Sequence, residues 1–131
     1  SLSTKEIIIM ESTTLTRTAQ LFIEHLRDTG KKNRTLYTYR KDLDIVEAFF
    51  GGERPVCEIR VPQVGKFYKS QILLKTPDGK DRAERTITKT MRVFRMMMVW
   101  ARNMSIITEL PLPKNTPMGY SKTKDEGNDD Q

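Results

Sequence analysis

Between residues 14 and 107 apolar side chains recur every three to four positions, and no stretch alternates with the period of two that a half-buried strand needs. A helix is predicted to begin after Thr14 or Thr16, with threonine as its cap, and to run to Thr29. Ala19, Leu21, Phe22 and Leu26 give it a buried side, and Gly30 stands where a helix end favours a left-handed residue. A second helix is expected from Arg34 to Phe50, stopped by Gly51-Gly52, with Leu36, Tyr39, Leu43, Val46 and Phe50 on one arc. Pro55 breaks the chain inside a loop over 53–60. A third helix should start near Pro62, since proline suits a first helical turn, and extend to about Leu74 through Val64, Phe67, Tyr68, Gln71 and Ile72. Thr76-Pro77-Asp78-Gly79 is a strong turn signal. The fourth helix should open around Arg82–Arg85 and last to about Asn103. Ile106-Ile107 leave room for a short fifth over 105–109, before Leu110-Pro111-Leu112-Pro113 ends regular structure. The expected fold is all-α: a compact bundle of four helices, with that short fifth as a variant.

Residues 14–113 thus read as one helical domain without internal repeats. Residues 1–13 read as a flexible leader, in which Ile7–Met10 suits either a short strand or a segment lying along the body. From Lys114 to Gln131 the chain is polar and aperiodic, the pattern of a disordered tail or of a linker to a further domain.

The segment ERTITKTMRVFRMMMVWARN, residues 84–103, shows the pattern most sharply. At about 100° per residue, Ile87, Met91, Phe94, Met98 and Ala101 share one narrow arc, widened by Val93, Met97, Trp100 and Met104. Arg85, Thr88, Lys89, Arg92, Arg95 and Arg102 fall on the other side. One face is built for a core and the opposite face carries a cationic stripe. The second helix repeats the design, with Arg34, Tyr37, Thr38 and Lys41 pointing away from its apolar arc.

Composition sharpens what that stripe could meet. The 131 residues carry a formal charge of +6 and a pI of about 9.5, an excess that suits an anionic partner such as nucleic acid, RNA-rich particles or an anionic membrane, or a merely soluble basic protein. Hydrophobic residues make up 37% and charged residues 31%, so a modest core should lie under a heavily charged surface. The single cysteine, Cys57, excludes an intrachain disulfide and a cysteine-rich metal site, and reads as a small buried hydrophobe in a reducing compartment. The longest apolar runs, Ile7–Met10 and Met96–Ala101, are too short to span a bilayer, and the first residues lack the pattern of a signal peptide. No clustered nucleophile, base or metal-ligand set is visible, so no catalytic residue, metal or cofactor is expected.

FIEHLRDTGKKNRTLYTYRKDLDIVEAFFG, residues 22–51, resembles the opening helix pair of the core-binding domain of tyrosine recombinases, the phage-integrase class. In that family a first helix ends at a short basic loop, and the second begins with a threonine followed by a tyrosine and an Asp-Leu pair, here Thr35, Tyr39, Asp42 and Leu43. RTITKTMRVFRMMMVWARNMSIITELPLPK, residues 85–114, is similar to the family's last helix through Thr86, Ile87, Lys89, Phe94, Trp100, Ala101 and Pro111. The resemblance implies a SAM-like orthogonal bundle that lays two helices across the major grooves of duplex DNA. It forms half of a clamp completed by a separate catalytic domain. The nucleophilic tyrosine and its Arg and His partners belong to that other domain, and this chain contains no His-x-x-Arg motif. The resemblance further implies DNA integration or recombination, self-association in a recombination synapse, and a nucleoid-associated cytoplasmic location in a bacterial or phage setting. No membrane or small-molecule partner is expected.

The candidate contacts follow from phosphate chemistry. A duplex presents one charge per about 1.7 Å of axis, so cations spaced along a rigid helix can meet phosphates in register. Arg85, Lys89, Arg92 and Arg95 supply a row on the last helix, and Arg34 and Lys41 a shorter one on the second. Thr35, Thr38, Thr86 and Thr88 offer hydroxyls to phosphate, and Tyr37 could lay its ring on sugar. Plainer roles stand beside these. The arginine stripe could be a solvated face, and Met96-Met97-Met98 core and helix flank. Trp100 could be a core edge, His25 a surface residue, Asp42 and Asp44 helix-surface ion-pair partners, and Lys31-Lys32 a solvating loop. Met96 and Val99 lie toward the cationic side, where they could touch a partner subunit or thymine methyls. A rival function is a helical protein–protein interaction module with the methionine-rich helix as its docking surface.

Overall fold

A computed structural model describes residues 3–5 and 13–114. The expected leader and tail, with Ile7–Met10, lie almost wholly outside the described residues. The chain folds as an all-α bundle: α1 (Leu15–Asp28), α2 (Asn33–Phe50), a 3-10 turn over Val56–Glu58, α3 (Val61–Tyr68), α4 (Gln71–Leu74) and α5 (Glu84–Asn103).

Thr14 caps α1, its hydroxyl accepting the Arg17 N–H at 3.0 Å. Two further unsatisfied N–H groups of that first turn, on Leu15 and Thr16, donate to the carbonyls of Arg54 and Gly52 at 2.9 Å. The start of α1 is thereby tied to the loop that leaves α2, and the two helices lie antiparallel. At its other end Gly30 takes φ +102°, the left-handed conformation expected there. The approach at Gly52 is closer than a side chain tolerates. A methyl added there would lie 2.2 Å from the Thr16 hydroxyl, which donates to Glu47 at 2.8 Å. Gly52→Ala is expected to destabilise the fold by about 1–3 kcal/mol, as read by urea denaturation.

The core forms where the apolar arcs of α1, α2 and α5 meet, with α3 and α4 closing one end. Phe50, Phe67 and Phe94 join α2, α3 and α5, with ring centroids 5.3 to 5.8 Å apart. Leu21 is only half-buried, whereas Ile23 is inside. The methionine run divides: Met97 and Met98 are fully buried, and Met96 is half-buried on the flank. Trp100 forms a core edge, its ring 5.7 Å from Phe22 and 5.6 Å from exposed His25.

The expected third helix is two helices. Ser70 breaks it, donating its hydroxyl to the Phe67 carbonyl at 2.7 Å and accepting the Leu73 N–H at 3.3 Å. One side chain thus closes α3 and caps α4, the competition with backbone pairing that makes serine a boundary residue. A tight loop follows, in which Lys75 and Asp81 form an isolated antiparallel bridge and their side chains form an ion pair. The Lys75 ammonium holds the Asp81 carboxyl below its ordinary value, by hydrogen bond first and charge second. That tie is therefore complete above the ordinary aspartate range and is lost as pH falls through the depressed value. Arg82, expected near the start of the last helix, instead turns its guanidinium back. It donates to the carbonyls of Leu73 at 2.9 Å and Lys75 at 2.8 Å, serving the open end of α4.

No helix forms over 105–109. After α5 the chain reverses through Ser105 at φ 63°, and the Ile106 N–H donates back to the Ala101 carbonyl at 2.8 Å. Ile106 and Ile107 are buried beneath the turn. This is a left-handed helix end with serine where glycine is usual. Ser105→Gly is expected to raise stability by about 0.5–1 kcal/mol in thermal or urea unfolding, because the strained conformation costs glycine little.

Candidate nucleic-acid interface

The candidate surface lies on the outward sides of α2 and α5, which pack against each other along their apolar arcs. Along α5, Arg85, Thr88, Arg92, Arg95 and Val99 follow one another at helical spacing on the side opposite Phe94 and Met98. Arg85 is exposed; Thr88, Arg92 and Arg95 are half-buried, their stems lying on the helix surface. Arg92 Nη1 lies 3.5 Å from Met96 Sδ, so a thioether helps to orient that guanidinium. Among the described residues no carboxylate pairs with Arg85 or Arg95. Thr86 is exposed at the start of the helix.

On α2, Arg34, Tyr37 and Lys41 are exposed, and Lys41 Nζ lies 5.1 Å from the centre of the Tyr37 ring. Tyr37 is 62% exposed, so an amphipathic ring and a cation project together as one unit. Thr35 and Thr38 are half-buried. The Thr38 hydroxyl donates to the Thr35 carbonyl at 2.9 Å, so its proton is not on offer to a phosphate, which only accepts.

Lys89 faces inward. Its ammonium pairs with Asp42 of α2 and lies 5.8 Å from the centre of the Tyr39 ring. Asp42 is not a surface residue: it is 5% exposed, and it also accepts the Thr90 hydroxyl at 2.7 Å. Asp42, Lys89 and Thr90 form a polar knot in the α2–α5 seam, which positions the two outward rows relative to each other. Thr90 escapes a periodicity reading that treats it as one more polar residue, yet it lies within the apolar arc of α5 between Ile87 and Phe94. Asp42 likewise abuts the arc of α2. Paired polar intrusions in facing stripes were the available signal.

Three other cations serve the fold. Arg40 donates to Asp44 at 3.1 Å and pairs with Glu47, so Asp44 does act as the surface ion-pair partner expected of it. Arg82 serves backbone carbonyls and Lys75 pairs with Asp81. Of the carboxylates of α2, Glu47 is thus held toward α1 and Asp42 in the seam, and Asp44 is tied to Arg40. Among the described residues no group of three His, Cys, Asp or Glu side chains could hold a metal, and no helix is long and apolar enough to cross a membrane. No protein-family model matches the chain, and no curated protein or solved structure shows significant similarity to it.

Proposed function

We propose that this chain is a duplex-DNA-binding module, the core-binding domain of a tyrosine recombinase of the integrase class. The observation that supports it is the outward row of Arg85, Arg92 and Arg95 on α5, together with the exposed Arg34, Tyr37 and Lys41 on α2, a helix packed against α5. Rigid helices hold these cations at fixed spacing, which suits phosphates along a duplex. The resemblance of residues 22–51 and 85–114 to the helices that such recombinases lay in major grooves supports the same assignment. In this proposal the domain grips DNA and does not cut it. A catalytic domain completes the clamp, sister copies join in a synapse, and the setting is the bacterial or phage nucleoid.

The rival is a protein-docking module using the methionines of α5. Met91, Met97 and Met98 are buried in the core, which leaves Met96 on the flank and Met104 exposed as its only surface methionines on or next to this helix. Fluorescence anisotropy with a labelled mixed-sequence duplex at low salt distinguishes the two. Saturable binding supports the DNA module; no binding, with the helical circular dichroism intact, overturns it.

A further inference from the structure

Not every residue on the outward side of α5 is cationic. At about 100° and 1.5 Å per residue, Arg92, Met96, Val99 and Asn103 fall in one line, with Arg95 and Arg102 one step round. Met97, Met98 and Ala101 turn into the core, whereas Val99 lies outside it and is half-buried among the arginines. Val99 is thus an apolar side chain set between Arg95 and Arg102 near the end of the row. The span from Arg92 to Val99 is about 10 Å, close to the width of a major groove of about 12 Å.

We propose, on the basis of the duplex-binding function above, that Val99 is a base-reading residue: it meets the 5-methyl group of thymine in the major groove while Arg95 and Arg102 hold the flanking phosphates. The chemistry fits in three respects. Thymine alone among the four bases shows a methyl in that groove, and a valine on a helix offers two methyls in one strongly preferred rotamer. Arginines that hold phosphates give affinity that is blind to sequence, so a side chain between them that reaches a base edge adds discrimination. Exposed Asn103 sits four residues further on, one turn along the same line, where an amide could reach the adenine edge of a neighbouring pair.

The test compares alternating poly(dA-dT) with poly(dA-dU), duplexes that differ only in the 5-methyl group, by competition anisotropy at one salt concentration. The wild-type protein is expected to favour the thymine polymer by about threefold or more, the effect of burying a methyl group. Val99→Ala, a substitution that favours helix, is expected to bind both polymers equally with an unchanged melting temperature. Equal wild-type affinity for the two polymers, with salt-dependent binding intact, overturns the role of Val99 and leaves the duplex-binding function standing. A preference that survives in Val99→Ala also overturns it. Failure to bind either polymer overturns both proposals.

Discussion

Replacing Arg85 and Arg95 together by glutamate is expected to weaken duplex binding by about 100-fold or more, near 2.7 kcal/mol, while leaving the melting temperature within a few degrees of wild type. Neither arginine pairs with a carboxylate among the described residues, so the fold loses no partner when they change. Arg85 stands in the first turn of α5, where a carboxylate complements the helix dipole. The carboxylate brought in by Arg95→Glu would face Arg92 one turn back, a favourable helical pair. The duplex, in contrast, loses two cations and meets two anions. Competition anisotropy gives the affinity and circular dichroism the fold. Unchanged affinity would move the interface away from the outward side of α5.

Lys89→Met is expected to be the most damaging single change at the seam, costing about 3–5 kcal/mol in urea denaturation, and Asp42→Asn is expected to cost only about 1–2. The asymmetry follows from exposure. The Asp42 side chain is 8% exposed and that of Lys89 36% exposed. Without Lys89, a carboxylate is left inside with the Thr90 hydroxyl as its remaining partner. Without the charge on Asp42, the lysine can swing its ammonium to water, and asparagine still accepts from Thr90. Equal costs, or the reverse order, would contradict the seam as described. Because Lys89 faces inward, its removal is also expected to change the salt dependence of duplex binding less than removal of Arg85 does.

Periodicity carried most of the fold. The arcs of α2 and α5 were legible because a buried helix face must repeat every three to four residues, and threonine and glycine marked both ends of α1. What escaped was decided by single side chains acting on backbone or across the fold. Ser70 divided one expected helix into two by bonding to main chain on both sides. Ser105 accepted a left-handed conformation that a sequence reading assigns to glycine, so Ile106 and Ile107 entered the core through a turn rather than a helix. The cationic face was legible as charge on one side of a helix. Its internal division was not, since pairing of Lys89 with Asp42, 47 residues apart, is a tertiary fact. The same holds for Arg82, whose guanidinium reaches back to Leu73, nine residues earlier.

The most direct test is the salt dependence of duplex affinity for the unmodified chain. If Arg34, Lys41, Arg85, Arg92 and Arg95 each neutralise a phosphate, log Kd should rise linearly with log salt with a slope of about 4 to 5. In the Arg85 and Arg95 double reversal, that slope should fall by about 2. A slope near zero, or no measurable binding at low salt, would contradict a cationic face that grips DNA.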